Sequence, residues 1–205
     1  MYDRLVDAAI RARGQLAPLD LELIGFAVNT AASGPGSAGA AGHAAAARQL
    51  GASDDLLVEV AQIVGVVGIH TLASCMSIVD ELSGEHSAAS DDELGRLQED
   101  FERRRGTWSP FWEALLSSDP AFFAAYANYS SHPIERGQLP PMLRELMVFA
   151  MNATTTKLFV KGVRGHGGAA MRLGATRETL IQVLELVSLV GVGSSTSAAL
   201  ILSEG

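Results

Sequence analysis

The chain is short of charge and of cysteine, and each shortage excludes something. Its single cysteine, Cys75, rules out an internal disulfide and any four-thiolate metal site. It also fits a reducing compartment. Lys and Arg number 15 against 23 Asp and Glu, a formal net charge of −8. That balance argues against a general nucleic-acid binder, because neutralising phosphates needs a basic excess. Only 19% of the 205 residues are charged, against 48% hydrophobic, so much of the surface is expected to be covered, as by other subunits. The opening MYDRLVDAAIRARG mixes charges into an amphipathic pattern and lacks the apolar core of a secretory signal, which sets the expectation of a cytoplasmic protein. Two segments are strongly apolar, Leu56–Val79 and Leu180–Leu202. The first carries Glu59, Gln62 and His70, the second Gln182 and Glu185. With their Gly and Ser, these interruptions favour buried helices over membrane spans.

What the chain does have is an internal repeat. Shifted by 123 residues, Leu16–Ile78 aligns with Leu139–Ile201 without a gap, and 22 of 63 paired positions are identical. Random pairing of so Ala-, Leu- and Gly-rich a composition gives roughly a tenth. The matches include Glu22/Glu145, Phe26/Phe149, Asn29/Asn152, His43/His166 and Gly51/Gly174. A Glu, an Asn and a His recurring in one register are not a product of composition. The chain is therefore read as a duplication.

Each copy reads as three helices. Pro140 and Pro141 open the first helix of copy two, with Leu143, Leu146, Met147 and Ala150 at helical spacing. A second helix runs to about Leu173, where Gly174 supplies a left-handed stop. Thr176 can cap the third, which runs to about Leu202. Gly51 and Ser53 play the same parts in copy one. No stretch alternates convincingly at period two, so the class is all-α. The organisation is then a first repeat over 1–82, a helical connector over 83–138 and a second repeat over 139–205. Within the connector, Ser90 and Glu93 form a capping box for a polar helix ending near Arg105. Phe122, Phe123 and Tyr126 are expected to pack on the repeats, and Ser130–Gln138 to be turn-rich.

The candidate chemistry sits on the recurring Glu and His. His166 shares its helical face with Gly162, Val163, Ala170 and Leu173, none of them charged. A buried neutral imidazole fits that face. So does a catalytic one, because Glu145 recurs with it, and a carboxylate beside an imidazole tunes proton transfer near neutral pH. Glu145 can equally stitch helices together. Glu22 and His43 are the matching pair of copy one. Lys157, Lys161 and Arg164 form a basic stripe at spacing four and three, either a solvated face or a holder for a substrate carboxylate. Copy one reads Ser33-Gly34-Pro35-Gly36-Ser37-Ala38-Gly39 at the place of that stripe. Gly and Pro predict a loop there, while copy two keeps an intact helix. Copy one instead carries His70, a core histidine or a partner for His43 or His166. Cys75, about 140° around the helix from His70, reads as a small core residue. His86 and His132 lie in expected loops and take no role. No His-x3-His or His-Glu-x-x-His spacing is present, so no metal site is assigned.

Arg144-Glu145-Leu146, followed by His166-x3-Ala170-x3-Gly174-Ala175-Thr176, resembles the core signature of the carboxymuconolactone decarboxylase-like family, relatives of alkylhydroperoxidase D. Asp119-Pro120, Phe122 and Tyr126 resemble its lead-in helix. The resemblance implies a tandem form of an all-helical, alkylhydroperoxidase D-like three-helix unit that assembles into oligomers. It implies activity around a His and a Glu with no metal or organic cofactor. The peroxidase branch places a Cys-x-x-Cys pair before the motif histidine, near Phe159 and Gly162 or Gly36 and Gly39 here. No cysteine stands there, which argues against thiol peroxidase chemistry.

Two functions follow as expectations. The first is a cofactor-free lyase or isomerase acting on a small carboxylated molecule, such as a lactone or acid from aromatic degradation. His166 would shuttle the proton, Glu145 would orient it, and a nearby cation would hold the carboxylate. The second is a non-catalytic oligomeric protein that binds a small ligand, motivated by the diverged first copy. Under either reading the third helices want cover on several sides. We expect at least a dimer of chains, or a trimer; sedimentation as a stable 21.5 kDa monomer at working concentration would contradict this.

Overall fold

The computed structural model describes residues 4–5, 7–11, 14–34, 36–84, 90–106 and 108–203, with side chains at 10, 11, 73 and 194–203 outside the description. Among these residues every regular element is helical. A π-helical turn, Asp7–Arg11, precedes α1 (Pro18–Ser33), α2 (Ala38–Gln49) and α3 (Asp54–Val66). A 3-10 turn, Val67–Ile69, leads into α4 (His70–Ser83). The connector holds α5 (Asp91–Arg105), a 3-10 turn at Pro110–Trp112, α6 (Glu113–Ser118) and α7 (Pro120–Arg136). Copy two supplies α8 (Pro141–Ala153), α9 (Val160–Arg172) and α10 (Arg177–Ser203).

The helix ends follow local chemistry. Pro18 and Pro141 occupy first turns, where a missing N–H costs nothing. The hydroxyls of Ser37, Ser53, Ser90 and Thr176 accept from backbone N–H groups three residues on. Gly51 and Gly174 stop α2 and α9 at φ 96° and 105°, a region that side chains avoid.

The chain divides into two compact units, residues 1–64 with 138–205, and residues 65–137. The first unit joins both repeats. In it α1 pairs with α2, α8 pairs with α9, α1 packs on α8, and α10 lies against both α1 and α8. Leu23, Ile24, Ala27 and Val28 of α1 are fully buried, as are Leu146, Met147, Ala150 and Met151 of α8. Their spacing of three to four is the apolar stripe of a core helix. Neither repeat alone could cover both stripes, so the copies share one core.

Buried Glu59 of α3 fixes the entry to copy two. Its carboxylate accepts the backbone N–H of Gln138 at 2.7 Å and of Leu139 at 3.1 Å. These amides precede α8, and the carboxylate satisfies the Leu139 donor, which would otherwise be buried unpaired.

The second unit differs from a division drawn at the repeat edges: residues 65–82, the end of the first repeat, belong with the connector. The reason is aromatic packing. Ile69 joins Phe101, Leu115, Leu116, Phe123, Tyr126 and Ala127 in one core. Phe101 lies 5.1 Å from Trp112 and 5.5 Å from Phe123, ring centre to ring centre. The Tyr126 hydroxyl donates to the Val66 carbonyl at 2.7 Å, at the point where the α-helical ladder gives way to the 3-10 turn. Burial pushes that phenol well above the usual tyrosine range.

The structure corrects several expectations. Phe123 and Tyr126 do pack on the end of the first repeat, against its Ile69 and Val66, while Phe122 is exposed. The segment expected as turns after Ser130 is instead the last part of α7. The helix runs through Pro133, giving up one backbone donor, and the Arg105 guanidinium donates to the Ser130 carbonyl nearby. His132 is therefore helical, and His86 lies outside the described residues. Cys75 is exposed, not core. Burial of the first apolar segment holds for Leu57, Val60 and Ile63, but Val58, Ile78, Val79 and Leu82 are exposed in the single chain. By length and composition alone, Asp54–Ser83 would suffice to cross a membrane.

Replacing Glu59 by Ala takes the acceptor from the buried Leu139 N–H and from the part-buried Gln138 N–H. The expected loss is about 2 kcal/mol, a fall of several degrees in Tm for a chain of this size. Chemical denaturation would read it, and an unchanged midpoint would show that the carboxylate does not hold the entry to α8.

Candidate functional site

Two helical hairpins build the site, one per copy. On α1, Glu22, Phe26 and Asn29 follow at spacings of four and three, so they lie along one stripe. On α8 the stripe is Glu145, Phe149 and Asn152. The facing helices carry small residues and a histidine at spacing four: Gly39, His43 and Ala47 on α2, and Gly162, His166 and Ala170 on α9. Ala47 and Ala170 are fully buried. The helices run antiparallel, so the early Glu of one meets the later His of the other.

The geometry is the same in both copies. His43 Nδ1 lies 2.7 Å from Glu22 Oε2, and His166 Nδ1 lies 2.7 Å from Glu145 Oε2. Among the described residues neither Nε2 has a protein partner. With Nδ1–H donated to the carboxylate, the neutral ring presents Nε2 as a base; protonated, it presents an N–H donor. His43 and Glu22 keep 25% and 24% of their side-chain surface exposed, His166 and Glu145 32% and 31%. The pairs are held by the fold yet remain partly exposed. The carboxylate fixes the orientation of the ring through Nδ1. Arg144 does not compete for Glu145, because its guanidinium donates to the Leu139 carbonyl at 2.8 Å.

Close approach rests on glycine. A methyl group on Gly25 would fall 2.5 Å from Cε1 of His43, so this ring lies against bare α1 backbone. Copy two has Val148 at the equivalent place. Gly39 and Gly162 make room for a different neighbour. A side chain there would run into Asn29 in copy one and Asn152 in copy two. These Asn–Gly contacts are a second recurring feature of the site. The repeat alignment shows the Asn29/Asn152 identity but assigns it nothing, because its meaning lies in the facing glycine.

The other candidates are dispersed. The intact helix expected in copy two is broken: α8 ends at Ala153, and residues 154–159 form a turn before α9. Copy one has the shorter interruption, with α1 reaching Ser33 and α2 starting at Ala38. The break in copy two comes where Thr154 leaves the helix with an extended backbone, its hydroxyl turning back to the Met151 carbonyl. Lys157 therefore sits in the turn, off the helical stripe expected of it. Its side chain is exposed, yet surrounding protein desolvates the ammonium enough to lower its pKa. Lys161 and Arg164 are exposed on α9 and make no ion pair among the described residues. On an ideal helix they stand about 140° and 200° from His166, so neither shares its face. His70 belongs to the second unit, where its ring packs edge-on against Phe111 at 5.5 Å. Among the described residues no three His, Cys, Asp or Glu side chains converge.

The sequence profile of the carboxymuconolactone decarboxylase family matches residues 120–204, from α7 through α10. A crystal structure from Burkholderia xenovorans LB400, of a protein given as a candidate gamma-carboxymuconolactone decarboxylase subunit, superposes with a TM-score of 0.90 at 34% sequence identity. The match covers 99% of this chain and 83% of that one. No curated protein matches the chain significantly.

A Gly25→Ala variant is expected to fold but to push the His43 ring off its seat, leaving the His166 pair intact. Imidazole ¹⁵N NMR would show a changed Nδ1–H signal for His43 alone; two unchanged signals would contradict the close packing.

Proposed function

This chain belongs to the carboxymuconolactone decarboxylase family, and from that premise we propose that it is a cofactor-free lyase acting on a small carboxylated substrate. A lactone or acid from aromatic degradation fits the chemistry. The observation that carries the reading is the Glu–His pair, formed at 2.7 Å in both copies with Nε2 unpaired among the described residues.

Decarboxylation asks little else of a protein. The bond to the carboxylate breaks, carbon dioxide leaves, and the electron pair moves onto the ring as an enolate. An imidazolium Nε2–H then gives its proton to carbon, and solvent restores the imidazolium. Glu145 or Glu22 supports that cation throughout. The matched geometry of the copies supports two working sites per chain, where the sequence placed the main weight on His166. A purely ligand-binding protein, the reading motivated by the diverged first copy, stands as the alternative. Exposed Ile78, Val79 and Leu82 are consistent with the homo-oligomer expected from composition.

Carbon dioxide release from gamma-carboxymuconolactone and a panel of related acids tests the proposal. Changing both His43 and His166 to Gln is expected to lower kcat about 10²–10⁴-fold, with each single change keeping the other site. A folded double variant at full activity would remove the dyads from the mechanism. Tight binding of one panel member without any turnover would instead favour a binding protein.

A further inference from the structure

Asn152 is a fully buried polar side chain, and among the described residues neither its Oδ1 nor its Nδ2 has a hydrogen-bond partner. Buried amides are normally paired, and leaving one unpaired is costly. Its counterpart behaves differently. Asn29 is half-buried, and its Nδ2 donates to the Gly25 carbonyl of its own helix at 2.9 Å. The carbonyl four residues before Asn152 belongs to Val148, and the Asn152 amide makes no bond to it.

Position gives the orphaned amide a use. Asn152 lies on the same stripe of α8 as Glu145, about 10 Å further along the axis. Its Nδ2 would be 2.5 Å from a methyl on Gly162, the residue one helical turn before His166. The amide therefore faces the α8–α9 seam that holds the dyad. Phe159 also crowds Gly162, and it ends a turn in which Leu158 is held at φ 38°. A non-glycine residue there is strained, a condition that favours rearrangement when something else bonds in its place.

We propose that Asn152 is a specificity-determining residue of the second site. Its amide takes a carboxylate or lactone oxygen of the substrate at the end remote from the bond that breaks, and Phe159 yields to admit it. This rests on the lyase reading above. It gives the substrate-holding role to an amide on the dyad's own seam, where Lys161 and Arg164 face elsewhere. Copy one, with Asn29 already bonded, lacks the equivalent subsite.

The test compares Asn152→Leu with Asn29→Leu, in a His43→Gln/His166→Gln background whose turnover is slowed enough for binding to be measured. Binding of gamma-carboxymuconolactone is measured by calorimetry and Tm by thermal unfolding. Asn152→Leu is expected to raise Tm, since it removes an unpaired polar group, and to weaken binding by roughly 10–100-fold. Asn29→Leu is expected not to raise Tm and to leave that binding site unchanged. A lower Tm for Asn152→Leu would show that the amide is structurally paired, and would overturn the proposal. So would a raised Tm with unchanged affinity. If the background protein binds no gamma-carboxymuconolactone at all, the substrate reading fails and the subsite falls with it; binding that ignores Asn152 sinks the subsite alone.

Discussion

The close antiparallel contact within each hairpin is the constraint on which the site depends. Helices approach as near as the side chains between them permit. Here Gly25, Gly39, Ala40, Ala44 and Ala47 lie at the first seam, and Gly162, Gly167 and Ala170 at the second. With so little volume between the helices, a Glu on one and a His on the other come within hydrogen-bonding distance. The same closeness buries the Asn–Gly contacts. The catalytic candidates are thus a by-product of small residues as much as of reactive ones.

The site's surroundings are built to keep that contact. The two copies bury their apolar stripes against one another, and α10 covers both first helices. Glu59 ties down the backbone entering α8 through charge-assisted bonds. The dyads themselves stay partly open, so stability comes from elements behind them. This division leaves the Glu–His pairs partly exposed without loosening the core.

Much of this was legible in the sequence, for identifiable reasons. The repeat, the helical class, the Gly51 and Gly174 stops and the Ser90 cap are local signals, and each depends on a few adjacent residues. The Glu–His pairs were legible because they recur. What local reading missed depends on tertiary balance. Pro133 inside α7 reads as a break, yet the helix continues around it. Cys75 reads as core, yet its helix face is exposed. Lys157 reads as part of a helical stripe, but the helix ends before it. The unpaired amide of Asn152 was invisible, because pairing is a property of surroundings and not of residue type.

The difference between Gly25 and Val148 has a further meaning. When identical subunits assemble, one codon alters every pocket of the assembly together. A duplicated chain encodes its pockets separately, so each can drift while its twin preserves the original role. Glycine under one imidazole and valine at the matching place in the other copy are the kind of difference that separate encoding permits, each Glu–His pair keeping its own neighbours.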